Sequence, residues 1–128
     1  MRKGKMLLPI CGLGFMLFLT IAPAAWANRS SALIEAPATV SKGKEATIKI
    51  TVSHNGNNWF HYTQWAKVTA NGKEIALWNY SWGNRPESDT FTKEIKLKID
   101  EPTTIRAEAS CNVHGGAPPD EKTVRVTE

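Results

Sequence analysis

Cysteine is scarce in this chain: the whole sequence has two, Cys11 and Cys111. Cys11 falls in an apolar N-terminal run that reads as an export signal, so the mature protein keeps one thiol. That excludes a disulfide framework, and it excludes an attached rubredoxin-like iron centre, which needs four thiolates. Methionine is confined to Met1, Met6 and Met16, so nothing after the signal offers a thioether to a metal. Histidine is limited to His54, His61 and His114. A charge excess is missing as well. The net charge of +4 owes three cations to the signal and no anions, so the remainder carries about +1. No Lys/Arg cluster interleaves with aromatics, which argues against a nucleic-acid groove. Helical periodicity, internal repeats and low-complexity tracts are all lacking.

The N-terminal segment has the three parts of a signal peptide. Arg2, Lys3 and Lys5 make a positive start, Leu7 to Ile21 is almost wholly apolar, and Ala25-Trp26-Ala27 supplies small residues for cleavage. Removal of residues 1–27 would leave Asn28 as the new N-terminus of one domain, residues 28–128, in the periplasm. A membrane anchor is the competing reading, but Pro9, Gly12 and Pro23 interrupt the apolar stretch. The mature protein is therefore expected off the membrane.

The mature chain alternates with period two, the pattern of antiparallel strands with one buried face. Ala46, Ile48, Ile50 and Val52 alternate with polar residues, as do Ile95, Leu97 and Ile99; Ile105, Ala107 and Ala109; and Val124 and Val126. Asn71-Gly72 separates two such runs, and a two-residue turn with positive φ there predicts a hairpin. About seven short strands in about 100 residues predict an all-β, immunoglobulin-like antiparallel sandwich. The segments 53–60, 81–88 and 112–120 are the loops expected to carry function.

Parity places Cys111 on the inward face with Ile105, Ala107 and Ala109, just where the strand gives way to Gly115-Gly116-Ala117-Pro118-Pro119. His114 comes three residues later, close enough for one turn to present sulfur and imidazole to the same ion. A bare C-x-x-H is a weak motif, equally readable as a buried thiol beside an exposed ring. The other two histidines flank one loop, and folding that loop onto the Cys111 strand would gather three imidazoles and one thiolate. Such donors suit iron, copper or zinc and not calcium or magnesium. Scattered surface histidines are the alternative.

Three stretches resemble a known family. Leu33-Ile34-Glu35-Ala36-Pro37 leads through Val40 and Lys42-Gly43-Lys44 into a strand ending at His54; His61 precedes Trp65 by four residues; and Cys111-Asn112-Val113-His114-Gly115 reads C-N-x-H-G. Together they resemble the superoxide reductase domain, the iron domain of desulfoferrodoxin and neelaredoxin, over nearly the whole mature chain. The resemblance implies an immunoglobulin-like sandwich and a non-haem iron held by histidines and an axial thiolate. It also implies superoxide as substrate, reduced by one electron to hydrogen peroxide. Carried over by position, the metal ligands are His54, His61, Cys111 and His114, with Cys111 axial and catalytic. Main-chain N–H groups near Asn112 and Val113 are expected to hydrogen-bond the sulfur.

Departures from the family pattern are concentrated at residues 28–30. A Glu-Lys-His triplet is usual there, and this chain has Asn28-Arg29-Ser30. Ser30 thus stands for a histidine ligand, and restoring histidine is expected to tighten iron binding. Arg29 keeps the cation that would draw in superoxide, and it is counted with Cys111 as catalytic. The electron must come from an outside donor, expected to be a small exported redox protein. Two other classes compete with the reductase. A blue-copper electron carrier uses two histidines, a cysteine and often a methionine, but Pro118 and Pro119 stand where that methionine belongs. A non-catalytic binding module would instead use Trp59, Phe60, Trp78, Tyr80 and Trp82 as an exposed patch, whereas aromatics of this size more often fill a core.

Overall fold

The alternating segments become strands because each has one apolar face to bury against a second sheet. The computed structural model describes residues 28–128, and the expected signal, residues 1–27, lies outside them. Eight strands are present: β1 (Ser31–Glu35), β2 (Thr39–Ser41), β3 (Lys44–Ser53), β4 (Thr63–Ala70), β5 (Lys73–Asn79), β6 (Thr90–Ile99), β7 (Thr103–Cys111) and β8 (Asp120–Thr127). One sheet has the order β1-β3-β6 and the other β2-β8-β7-β4-β5. The all-β sandwich expected from periodicity is what forms. The additional short strand, β2, pairs parallel to β8 at a sheet edge.

Between the sheets lie Ile48, Ile50, Val52, Val68, Ile99, Ile105, Ala107 and Val124, all fully buried. Each of the larger aliphatic side chains contributes roughly 1.5–3 kcal/mol by leaving water. The Asn71-Gly72 turn carries the positive φ angles anticipated for it, 48° and 81°. A bulge in β4 between Thr63 and Trp65 breaks strict alternation. In consequence Thr63 and Ala66, which are three residues apart, both face inward.

Register determines which loops share an end. Ser31 pairs with Ser53, Ser53 with Thr90, Thr63 with Cys111, and Trp65 with Asn79. The start of β1 and the connections 54–62, 80–89 and 112–119 therefore all gather at one end of the sandwich. Tight turns close the other end.

Candidate metal centre

Each candidate donor sits at or just beyond a strand terminus of that loop-bearing end. His54 immediately follows β3, His61 precedes β4 by two residues, Cys111 ends β7, and His114 lies in the turn after it. Cys111 and His54 are buried, at 3% and 6% exposure. The inward parity read for Cys111 thus holds to the last residue of its strand.

The loops are laced together by polar contacts. The His54 N–H donates to the Asp89 carbonyl at 2.8 Å, and the Asn57 side chain donates to the Pro86 carbonyl at 2.8 Å. Asn58 Oδ1 accepts from the N–H groups of Phe60 and His61 at 2.9 and 3.0 Å, a side-chain turn that fixes the approach to His61. Gly56 permits this path: a Cβ there would lie 3.0 Å from His61 Nδ1. On the other side, Asn112 clamps the histidine loop to the cysteine strand. Its Oδ1 accepts from Tyr62 N–H, its Nδ2 donates to the Phe60 carbonyl, both at 3.0 Å, and its N–H donates to the Tyr62 carbonyl at 3.1 Å. Asn112 is the positioning residue that sequence reading missed. Its place between Cys111 and Val113 in the motif was the available signal. The turn after His114 is equally constrained, because a Cβ at Gly116 would collide with the Ala109 carbonyl oxygen.

These contacts bring His54, His61 and Cys111 into one group of donors, while His114, outside that group, approaches it through His61. His54 Nε2 lies 3.0 Å from His61 Nε2, and His61 Nε2 lies 3.0 Å from His114 Nδ1. Donor atoms of His54, His61 and Cys111 are all within 4.8 Å of one another. The sulfur accepts the main-chain N–H of His114 at 2.9 Å. That N–H is next to Val113, in the stretch expected to serve the sulfur, whereas the Asn112 N–H goes to Tyr62. Burial holds the His54 pKa below the ordinary histidine value, and nearby His61 pushes it the same way; the Asn28 carbonyl and the Gly56 backbone oppose, and His114 lowers it further.

The donor set fits a metal ion. One ring nitrogen has either a single proton or a single in-plane lone pair, so His61 Nε2 cannot make two good hydrogen bonds with His54 and His114 together. A shared cation removes that conflict.

Residues 28–30 pass directly beside this cluster. Ser30 is fully buried and its hydroxyl bonds Thr63 Oγ1 at 2.7 Å. Its N–H reaches the Gly115 carbonyl at 3.3 Å. Ser30 therefore tethers the segment to the fold, and a histidine put there must break the Thr63 contact inside a filled space. Arg29 is half-buried on the bend after Asn28. The aromatic residues divide. Trp78 and Tyr80 pack against the core, whereas Trp59, Phe60 and Trp82 are exposed at 63%, 83% and 62%, with Trp59 and Trp82 5.9 Å apart. The expectation that aromatics fill the interior holds for the first pair only.

Known proteins share this architecture. Similar structures include superoxide reductase (neelaredoxin) from Ignicoccus hospitalis, with TM-score 0.64, 18% identity, and coverage of 77% of this chain and 82% of that one. A candidate superoxide reductase from Thermotoga maritima gives TM-score 0.61 and 23% identity over 77% of this chain and 86% of its own. The sulfur carrier protein SoxY from Chlorobium limicola f thiosulfatophilum shares the fold too, with TM-score 0.58 and 11% identity over 77% and 80%. At such identities these likenesses speak for the fold. No curated protein matches the chain. The desulfoferrodoxin family profile matches residues 25–116, which span most of the chain and end just after C-N-x-H-G. With that match over a superoxide reductase-like fold and a His/Cys cluster able to hold a metal, the chain belongs to the desulfoferrodoxin family.

Proposed function

We propose that this protein is exported to the periplasm with loss of residues 1–27. There it holds one non-haem iron through His54, His61, Cys111 and His114 and reduces superoxide to hydrogen peroxide. The gathering of His54, His61 and Cys111 donor atoms within 4.8 Å of one another, with His114 Nδ1 3.0 Å from His61 Nε2, supports the reading. Imidazole and thiolate donors suit iron, and the desulfoferrodoxin family match favours it over zinc or copper. Iron, when bound, supplies a one-electron couple and a cationic centre for an anionic substrate.

The protein's own groups set the terms for that chemistry. The reaction consumes one superoxide, one electron and two protons and yields one hydrogen peroxide, the electron coming from an external redox protein and the protons from water. The Cys111 thiolate donates electron density, and the His114 N–H at 2.9 Å moderates that donation by stabilising charge on sulfur. Burial of Cys111 and His54 keeps water from those two donors. Arg29, on the chain segment that passes the cluster, adds positive charge to attract superoxide.

Anaerobic purification with metal analysis, followed by a superoxide challenge, tests this. The expected result is about one iron per chain, with one peroxide formed for each superoxide consumed when a reductant is present. Stoichiometric copper without iron, or one peroxide for every two superoxides, overturns it.

A further inference from the structure

Ser30 is committed to Thr63, which raises the question of what faces the donor cluster from residues 28–30. The Asn28 carbonyl oxygen does. It lies 3.3 Å from His54 Nε2 and 3.5 Å from Cys111 Sγ, so one main-chain oxygen points at the same small region as the imidazoles and the thiol. The carbonyl therefore stands beside both donors, within reach of an ion that they would share.

We propose that the main-chain carbonyl of Asn28 is a further metal-binding group of this site, supplying one more donor in a chain with three histidines. The assignment rests on the four-side-chain site proposed above and adds one oxygen to it. Local structure holds that oxygen in place. Two residues on, Ser30 is pinned three ways: its hydroxyl to Thr63, its N–H to the Gly115 carbonyl, and its carbonyl to the Ala117 N–H at 2.8 Å. Residues 115–117 come directly after His114, so the N-terminal segment and the C-x-x-H turn are braced as one unit. A main-chain oxygen needs no particular side chain at 28. It needs only this brace.

The alternative role for the carbonyl is as a hydrogen-bond acceptor, from His54 Nε2–H or from the thiol, in protein without metal. The two roles predict opposite spectroscopic changes, because coordination withdraws electrons from the carbonyl carbon whereas loss of a hydrogen bond returns them. Labelling with carbonyl-13C asparagine and 15N arginine marks only two peptide bonds, Asn28–Arg29 and Asn84–Arg85, since no other Asn-Arg pair exists in the sequence. Asn84 sits in its own turn with Ser81 and serves as the internal reference. The probe is Cd2+, a thiophilic, diamagnetic ion that accepts more than four donors, added to the protein as the cell produces it, whether or not residues 1–27 have been removed. The expected result is 1:1 binding that Cys111→Ser abolishes, with a downfield shift of the Asn28 carbonyl carbon and none at Asn84. Binding at 1:1 with the Asn28 carbon unmoved, or moved upfield, overturns the carbonyl assignment and leaves the four-side-chain site intact. Absence of 1:1 binding overturns that site itself, and the carbonyl assignment with it.

Discussion

The two ends of the sandwich are made by the same eight strands and do different work. At one end the connections are minimal: Lys42-Gly43, the Asn71-Gly72 hairpin, and Asp100-Glu101-Pro102. At the other, residues 54–62 and 112–119 carry histidines toward a shared centre, and residues 80–89 brace the first of them through the Pro86 and Asp89 carbonyls. Hydrogen bonds show the same division. Asn58, Asn112, Asn57 and Ser30 each tie one connection of the loop-bearing end to itself or to a neighbour. The sheets therefore act as a platform whose stability comes from buried isoleucine and valine. Chemistry is delegated to segments that the core does not specify.

If this division of labour is real, changes at the loop-bearing end should alter metal uptake far more than they alter folding. Cys111→Ser is the strongest case. It keeps the size of a buried side chain but removes the soft, ionisable donor, so thiolate-to-metal absorption should vanish and metal affinity fall by orders of magnitude. Thermal unfolding of the metal-free protein should shift little, because serine can still accept the His114 N–H. Absorption titration with Fe2+ and calorimetry of the same samples check both halves. A variant that kept the absorption would remove Cys111 from the site.

Asn112→Ala comes next. The substitution deletes two side-chain hydrogen bonds to the chain around His61 and leaves its main-chain bond to Tyr62. Net values near 1 kcal/mol per bond predict a loss of about 1–3 kcal/mol in stability. Because those bonds orient a donor loop, metal affinity should drop roughly 10- to 100-fold, as for other groups that orient metal ligands. Equal unfolding midpoints for variant and parent would show that the clamp is ornamental.

How much of this was legible in the sequence depends on the same boundary between sheets and loops. Strand identity and burial were readable because period-two alternation is a local property, and it gave the inward face of β3, β7 and β8 and the side taken by Cys111. The bulge in β4 was not readable. It arises from pairing Thr63 and Trp65 with consecutive residues of β7, a choice made by tertiary register and not by local propensity. Residue types with metal-binding chemistry were also plain, since only three histidines and one cysteine were in play. Their convergence was raised by two histidines flanking one loop and strengthened by resemblance, and the agents of convergence were not suggested at all. Asn58 and Asn112 look like ordinary loop asparagines until their partners two, three or fifty residues away are known. The exposure of Trp59, Phe60 and Trp82 was the less-favoured reading for a related reason: composition favours burial of large aromatics, and only the loop path decides otherwise.

Acid should discriminate between the ends by a smaller amount. Burial and the proximity of His61 keep His54 neutral in the folded protein below the ordinary histidine value of 6.5. The unfolded chain takes up that proton as pH falls through 6.5, so it binds more protons than the native state and gains stability relative to it. Metal-free protein should therefore lose stability as pH drops below the ordinary histidine value, and level off once the depressed native value is passed. Bound metal competes for the same nitrogens, which adds metal release over the same range. Chemical unfolding from about pH 7.5 to about pH 5 measures the effect, and a profile that is flat throughout would mean that His54 is not held neutral by the fold.

The smallest effect belongs to the sheet surface away from the cluster. Arg106 on β7 and Glu121 on β8 form an ion pair at 3.1 Å, with side chains 47% and 53% exposed. Water screens such a pair, and ordering two long side chains offsets much of the attraction, so Arg106→Gln should change stability by less than about 0.5 kcal/mol. Metal affinity should not change at all, since Arg106 is five residues before Cys111 on the same strand and points to the solvent face. This variant is the sharpest control on the comparison because it perturbs the very strand that carries the sulfur. If it weakened metal binding measurably, the strand would be transmitting surface charge to its terminus, and the platform could no longer be treated as separate from the site it supports.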